Sequence, residues 1–434
     1  MDLNLPRMYK DYGSYSNYRN FPLSTDGLKP VERRVLLSAY KIARNSLVKS
    51  RQVDAYAIGH YHPHGDCSGT IVQLVHQGFL DGQGNFGSNA GIQPIGPAAP
   101  RYTECKLSKH TIELAFKYID YTPLVDTELG DKEPPFLPTM FPICLIGTEY
   151  TQGIGFGYKT YIPCFNVKDL HKRLLWLLGI EKTKPTIAPL ADCKILSNEA
   201  ALEELLTTGK AKLDVQGIYE VSAKDNTIRL RSWPPGRSFE VLLNKFAKEL
   251  NDNMIGFSDL STTETNILFQ VLRERNRDKI FADFKARMKD AVTGTISFET
   301  TVVDINHKVS VCSVDKMLLD TFEMYQAINE RMLNTEIAKI QDLINEFNLL
   351  QRIKPVLINC LRQNQDMATT LQQIELVTEI KQDVVKALLN KYRISKLIEM
   401  DTDVKDLVTS QKDLRGKLKN LQQFVLTQYN EYCG

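Results

Sequence analysis

"IAKIQDLINEF", residues 337–347, places Ile337, Ile340, Ile344 and Phe347 at steps of three and four, the spacing that lines one face of an α-helix. From about residue 315 onward glycine and proline nearly vanish, so little interrupts that periodicity and a long helix is predicted. A second apolar stripe, Leu407, Leu414, Leu418, Leu421 and Val425, predicts a returning helix of about thirty residues, on the order of 45 Å long. Two such helices can pack as an antiparallel arm. Between them the chain reads as several shorter helices, a small helical knob at about residues 355–400. Taken alone, this half is explained by an exposed helical bundle or a dimer seam, and no chemistry is assigned to it.

Upstream the character changes. The 434 residues, 43% hydrophobic and 24% charged, suit a globular chain of two to four domains. No run of apolar residues is long enough to span a bilayer, and "MDLNLPRMYKDYG" lacks the pattern of a secretory signal, so an intracellular protein is expected. The eight cysteines are dispersed, with no pair or Cys-His cluster at ligand spacing, which predicts reduced thiols and no zinc site. A net charge of +2 does not announce a nucleic-acid binder, so any such role must come from local charge.

From about 163 to 310 the pattern is mixed. "DLHKRLLWLLGI" and "SNEAALEELLTTG" read as helices, and "GIYEVSAKDNTIRLRSW" as a hairpin turning at Lys224, Asp225 and Asn226. The fold class predicted for the whole chain is α+β, mostly helical.

Glycines, aromatics and histidines concentrate in the first ~160 residues, where chemistry is expected. Gly82, Gly84 and Gly87 satisfy a GxGxxG pattern, but "SNAGIQPIGPAAPR" follows and cannot begin the helix that a dinucleotide site requires. In "GHYHPHGDCSGTIVQLVHQ", His60, His62, His64 and Asp66 precede a helical stretch; Pro63 prevents the helical spacing of a zinc site, and phosphate contact at a helix entrance fits better. "DGLKPVERRVLLSAYKIA" puts Lys29, Arg33 and Arg34 at the start of a helix whose Val31, Val35, Leu36 and Tyr40 face a core. "APRYTECKLSKH" places Tyr102 beside Arg101. A phenol is a weak nucleophile near neutral pH unless a cationic or basic neighbour favours the phenolate, and once esterified it leaves more readily than a sugar alkoxide.

"DGLKPVERRVL", "GHYHPHGD", "DGQGNFGS", "PRYTE" and "GIGFGYKTYIP", in this order, resemble the cleavage subunit of type IIA DNA topoisomerases, the family of gyrase A subunits and topoisomerase IV. The close resemblance covers residues ~19 to 166, and the order of elements beyond it agrees more loosely to the end. It implies a winged-helix DNA-binding and cleavage domain with an N-terminal arm at 1–125, a tower domain at 126–314, and a coiled-coil arm with a helical dimer gate at 315–434. Tyr102 is then the nucleophile that forms a transient 5′-phosphotyrosyl double-strand break for strand passage. Arg101, Arg19 (in "YRNFPLSTDG") and His64 are the implied catalytic partners, through electrostatic stabilisation of the phosphate and hydrogen bonding. Lys29, Arg33, Arg34, His60, His62 and Asn85 are implied DNA contacts, and Ile162 matches an apolar wedge that kinks the duplex.

No metal site is expected in this chain. Mg2+ and ATP would be handled by a partner subunit carrying the TOPRIM and ATPase domains, in an A2B2 complex containing a homodimer of this chain bound to double-stranded DNA, without membrane contact. The expected setting is the cytoplasm of a bacterium or of a phage-infected host cell. Because the sequence stops at Gly434, with no room for a DNA-wrapping tail, relaxation and decatenation are expected rather than active supercoiling. His60 stands where the family often has lysine and Glu32 where it has histidine, which makes the local field less positive. The competing reading is a noncatalytic winged-helix and coiled-coil architectural dimer that binds DNA.

Overall fold

The computed structural model describes residues 5–235, 238–392, 397 and 403–434. They form two compact units, one running to Tyr325 and including Tyr429–Gly434, the other Gln326–Gln428. The class is α+β, with small antiparallel sheets among the helices, as the patterning predicts.

In the first unit, α1 (Leu5–Asn20) precedes three helices, α2 (Pro30–Ile42), α3 (Ser50–His60) and α4 (Ser68–His76). Pro30 opens α2, where its missing N–H costs nothing, and the Glu32 carboxylate accepts the Lys29 N–H at 2.9 Å. Val35, Leu36, Leu37 and Ala39 bury the inner face of this helix. Strands β1 (Val48–Lys49), β2 (Leu80–Gln83) and β3 (Glu104–Leu107) form an antiparallel sheet in the order β1-β3-β2. The chain between β2 and β3, residues 84–103, is the segment that carries Tyr102.

A short hairpin follows, β4 (Val125–Asp126) and β5 (Lys132–Glu133). Next come the hairpin strands β6 (Thr151–Ile154) and β7 (Lys159–Ile162), then β8 (Cys193–Ile195) and β9 (Lys210–Gly217). With β14 (Thr293–Glu299) they build a sheet in the order β6-β7-β14-β9-β8. A separate sheet, ordered β10-β11-β13-β12, comprises β10 (Tyr219–Ser222), β11 (Thr227–Leu230), β12 (Ile255–Asp259) and β13 (Ile267–Val271). Its core includes Ile228, Phe246, Phe269 and Phe284, the last from the helix Arg277–Ala291. The hairpin predicted at residues 224–226 is present, with Asn226 at φ 53, a left-handed conformation that asparagine tolerates. The predicted helices are Val167–Leu177 and Glu199–Thr208, the second capped by the Asn198 side chain and ended by Gly209 at φ 77.

The long helix is Val314–Arg362, 49 residues with Pro355 inside it. The return differs from expectation: instead of one helix of about thirty residues there are two, Lys405–Lys419 and Leu421–Cys433. Asn420 leaves helical geometry at φ −114, ψ 45, and its amide donates back to the Gly416 carbonyl at 3.4 Å. Asparagine competes with the helix for backbone partners, and the apolar spacing across this point does not reveal that. In the second unit, Leu350, Ile353 and Leu357 pack with Leu371 and Ile374 of the helix Met367–Thr378 and with Val385 and Leu388 of the helix Gln382–Lys391, a core that starts before the predicted knob at about 355–400 and runs into it. Residues 393–396 and 398–400 of that knob lie outside the described residues, as do 401–402 beyond it. All eight cysteines are buried and unpaired. Among the described residues no helix is long and apolar enough to cross a membrane.

Candidate active site

Tyr102 lies at the base of the β2–β3 connection, and α3 holds it there. The Ser50 N–H donates to the Thr103 carbonyl at 3.0 Å and the Arg51 N–H to the Pro100 carbonyl at 3.2 Å, so the first turn of α3 grips the chain on both sides of Tyr102. Thr103 is buried and its hydroxyl donates to Ser50 Oγ at 2.8 Å. Tyr102 itself projects outward, 64% exposed, with the Arg101 guanidinium carbon 4.8 Å from its ring centroid. The phenol is thus open to solvent on a fixed backbone, with a permanent cation against its ring. Asn85, at the other end of the same connection, is exposed and accepts the Gly87 N–H at 2.8 Å.

A second cluster surrounds a cavity of about 200 Å³. Arg19 enters from the last turn of α1, Lys29 and Arg34 from the start of α2, and His62 and His64 from the loop after α3. Tyr15, Tyr18 and Glu128 also line it. His64 Nε2 lies 2.7 Å from the Tyr15 hydroxyl, and the Arg19 guanidinium carbon is 5.7 Å from the Tyr15 ring centroid. Arg34 bonds the Glu133 carboxylate through Nη2 at 2.7 Å and Nε at 2.9 Å, and its Nη1 reaches His62 Nδ1 at 3.4 Å. Burial first, and the nearby Arg34 second, push the His62 pKa down to about 4, so this imidazole is neutral at physiological pH. Burial and Arg19 shift His64 downward as well. Lys29 donates through Nζ to the Gln152 carbonyl at 2.5 Å.

The structure therefore gathers Arg19, Lys29, Arg34, His62 and His64 around one cavity, while Tyr102, Arg101 and Asn85 belong to a different loop and are absent from its lining. His60 is outside the cavity too; its Nδ1 meets Asp131 at 3.0 Å and its ring lies 4.2 Å from that of Tyr56.

Burial sets two of the expected DNA contacts apart from the rest. Arg33, expected to face DNA, is 5% exposed and spans the carboxylate of Asp26 at 2.7 and 3.0 Å. Asp26 is fully buried and also accepts the N–H groups of Leu28 and Leu137, so Arg33 is turned inward as the charged partner of a buried carboxylate. Ile162, expected as a wedge, is 0% exposed at the end of β7, paired with Thr151. Alternation along the strand turns it inward, and the most exposed apolar residue of the hairpin is Ile154, 82% exposed.

Sequence reasoning missed Glu133, Glu128 and Asp131 of the β4–β5 hairpin, which bring carboxylates to Arg34, the cavity and His60. The acidic spacing "DTELGDKE" was the available signal, but it names no partner. Among the described residues no group of three or more His, Cys, Asp or Glu side chains is arranged to hold a metal ion.

This division into an exposed Arg-Tyr pair and a His- and Arg-lined cavity coincides with a match to one family. The family model for the A subunit of DNA gyrase/topoisomerase IV matches residues 19–432, and the chain belongs to that family. Among similar proteins, the gyrase A protein of Thermotoga maritima is 24% identical over 93% of this chain and 53% of its own length. The topoisomerase 4 A protein of Salmonella typhimurium is 30% identical over 57% of this chain and 35% of its own. The gyrase A protein of Mycolicibacterium smegmatis is 29% identical over 64% and 35% respectively. The chain thus spans about a third to a half of the length of these curated relatives.

Proposed function

We propose that this chain is the breakage-rejoining subunit of a type IIA topoisomerase. The observation that carries the reading is the exposed Tyr102 phenol beside Arg101, on a backbone gripped by α3, in a member of this family. Tyr102 Oη gives up its proton to solvent as it attacks the phosphorus of a DNA phosphodiester; the bond to the 3′ oxygen breaks, and that oxygen takes a proton back from solvent to become the free 3′ hydroxyl. The tyrosine is left esterified to the 5′ phosphate. Negative charge gathering on the phosphate is met by Arg101 and by Arg19 in the cavity, with His64 as a hydrogen-bonding partner. Resealing reverses the step, the 3′ hydroxyl expelling the phenolate.

The Arg-Tyr pair and the cavity are separate within one chain, so the complete centre in this proposal forms when two copies meet on a duplex. Helices α2 to α4 with the β1-β3-β2 sheet support a winged-helix reading of 1–125. We read 126–314 as the tower, and 315–434 as the arm and gate. Mg2+ and ATP belong in this reading to a partner subunit carrying the TOPRIM and ATPase domains. The strand-passage outcomes assigned to the complex are relaxation and decatenation.

The test mixes the chain with an ATPase/TOPRIM partner, Mg2+ and end-labelled DNA, and traps adducts with detergent. A covalent band is expected from the wild type and none from Tyr102→Phe. DNA binding and bending by both proteins without any adduct would favour the architectural dimer instead.

A further inference from the structure

The connection between β2 and β3, residues 84–103, is longer than compact domains usually leave without regular structure, and such loops are commonly functional. Here it folds back on itself. Ser88 and Ile95 exchange both backbone hydrogen bonds, at 2.9 and 2.8 Å, and the Ala98 N–H donates to the Asn85 carbonyl at 2.9 Å. Gly87 is needed for this closure, because it sits at φ 83 and a Cβ there would lie 2.6 Å from the Ile95 carbonyl oxygen.

The tip of this strap is docked on a distant part of the chain, the turn between β12 and β13. The Ile92 N–H donates to Asp259 Oδ2 at 2.8 Å, the Thr265 hydroxyl to the Ala90 carbonyl at 2.9 Å, and the Ser88 hydroxyl to the Thr262 carbonyl at 2.6 Å. The Ile92 side chain packs against the core that holds Ile228, Phe269 and Phe284. Gly91 admits the Asp259 carboxylate so closely that a Cβ would be 2.9 Å from Oδ2. At its other end the strap runs through Pro97 and Pro100, stiff residues, into the turn in which the Tyr102 N–H bonds the Ala99 carbonyl at 2.8 Å.

We propose that Asp259 is a positioning residue for Tyr102: by anchoring the tip of the 84–103 strap to the β12–β13 turn, it fixes the run of chain that leads into the turn gripped by α3. The inference rests on the cleavage role proposed above, and it assigns to the β10-β11-β13-β12 body a direct hold on the reaction. Asp259 touches no reacting atom, so its effect belongs in the yield of cleavage and not in DNA affinity. Displacements of about an ångström at a reacting group can cost on the order of a hundredfold in rate.

The experiment compares wild type, Asp259→Ala, Asp259→Asn and Thr265→Val. Two readouts are taken: hydrogen exchange at the Ile92 amide in the free chain, and trapped adduct with measured DNA affinity in the complex with partner and Mg2+. Asp259→Ala is expected to speed Ile92 exchange by about tenfold and to cut adduct yield by about tenfold or more, with DNA affinity within about twofold. Asp259→Asn keeps an acceptor oxygen for the Ile92 N–H and is expected to restore both. Thr265→Val should move both readouts in the direction of Asp259→Ala by an independent bond. Unchanged exchange in Asp259→Ala, or faster exchange with full adduct yield, overturns the proposal. A wild type that forms no adduct removes the cleavage reading and the positioning role with it, while Ile92 exchange then still reports whether Asp259 holds the strap.

Discussion

Between Arg34 and His64, the His62 ring has little room for a proton. Its pKa is pushed down to about 4, whereas in an unfolded chain it titrates near 6.5. Below pH 6.5 the unfolded state therefore takes up a proton that the folded site refuses, so the stability tied to the neutral ring is complete above 6.5 and is lost as pH falls toward 4. Burial shifts His64, His110 and His171 the same way. Urea unfolding at pH 7 and pH 5 should show wild type losing stability, and His62→Asn losing less by about 1 kcal/mol. An equal loss in both would remove His62 as a contributor. The neighbouring arginines mark the limit of legibility at this scale. Arg33 and Arg34 are adjacent and chemically identical, yet one neutralises buried Asp26 and the other joins Glu133 and His62 at the cavity. Motif order located both, but partners 7 and 99 positions away in sequence decide their fates.

Charge also fastens elements to one another, most tightly at Arg173 in the helix Val167–Leu177. Its guanidinium is 0% exposed and bonds Glu203 of the helix Glu199–Thr208 at 2.7 Å and Asp315, at the start of the long helix, also at 2.7 Å. The Trp176 ring packs 4.6 Å away on the same helix. Removing the cation would leave two carboxylates facing each other with little solvent, so Arg173→Ala should cost about 3–5 kcal/mol in denaturant unfolding. A loss below about 1 kcal/mol would mean that water or Lys184, which also pairs with Glu203, takes over the charge. The helices that Arg173 joins were legible because Asn198 and Gly209 punctuate one of them and apolar spacing marks the other. The bond network between them was not, since nothing local indicates which carboxylate a central arginine meets. Asn420 shows the converse, a break that the apolar stripe around it conceals.

Across the whole molecule the scattered thiols are all buried. Burial pushes Cys67 and Cys164 up to about 12, and Cys105, Cys193, Cys312 and Cys433 up to about 11. Only the thiolate attacks a disulfide reagent, so the native chain should react slowly at pH 7.5 and release all eight equivalents once denatured. Rapid reaction of even one thiol in the native state would contradict the burial. Dispersed spacing made the unpaired state legible, whereas burial had to await the fold. For spectroscopy, that quiet background makes the natural chain its own cysteine-free host. A single replacement such as Ile154→Cys, at a position 82% exposed, creates the lone fast-labelling handle, and a dye or spin label there can test the proposed contacts with a second copy and with DNA while every native thiol is left in place.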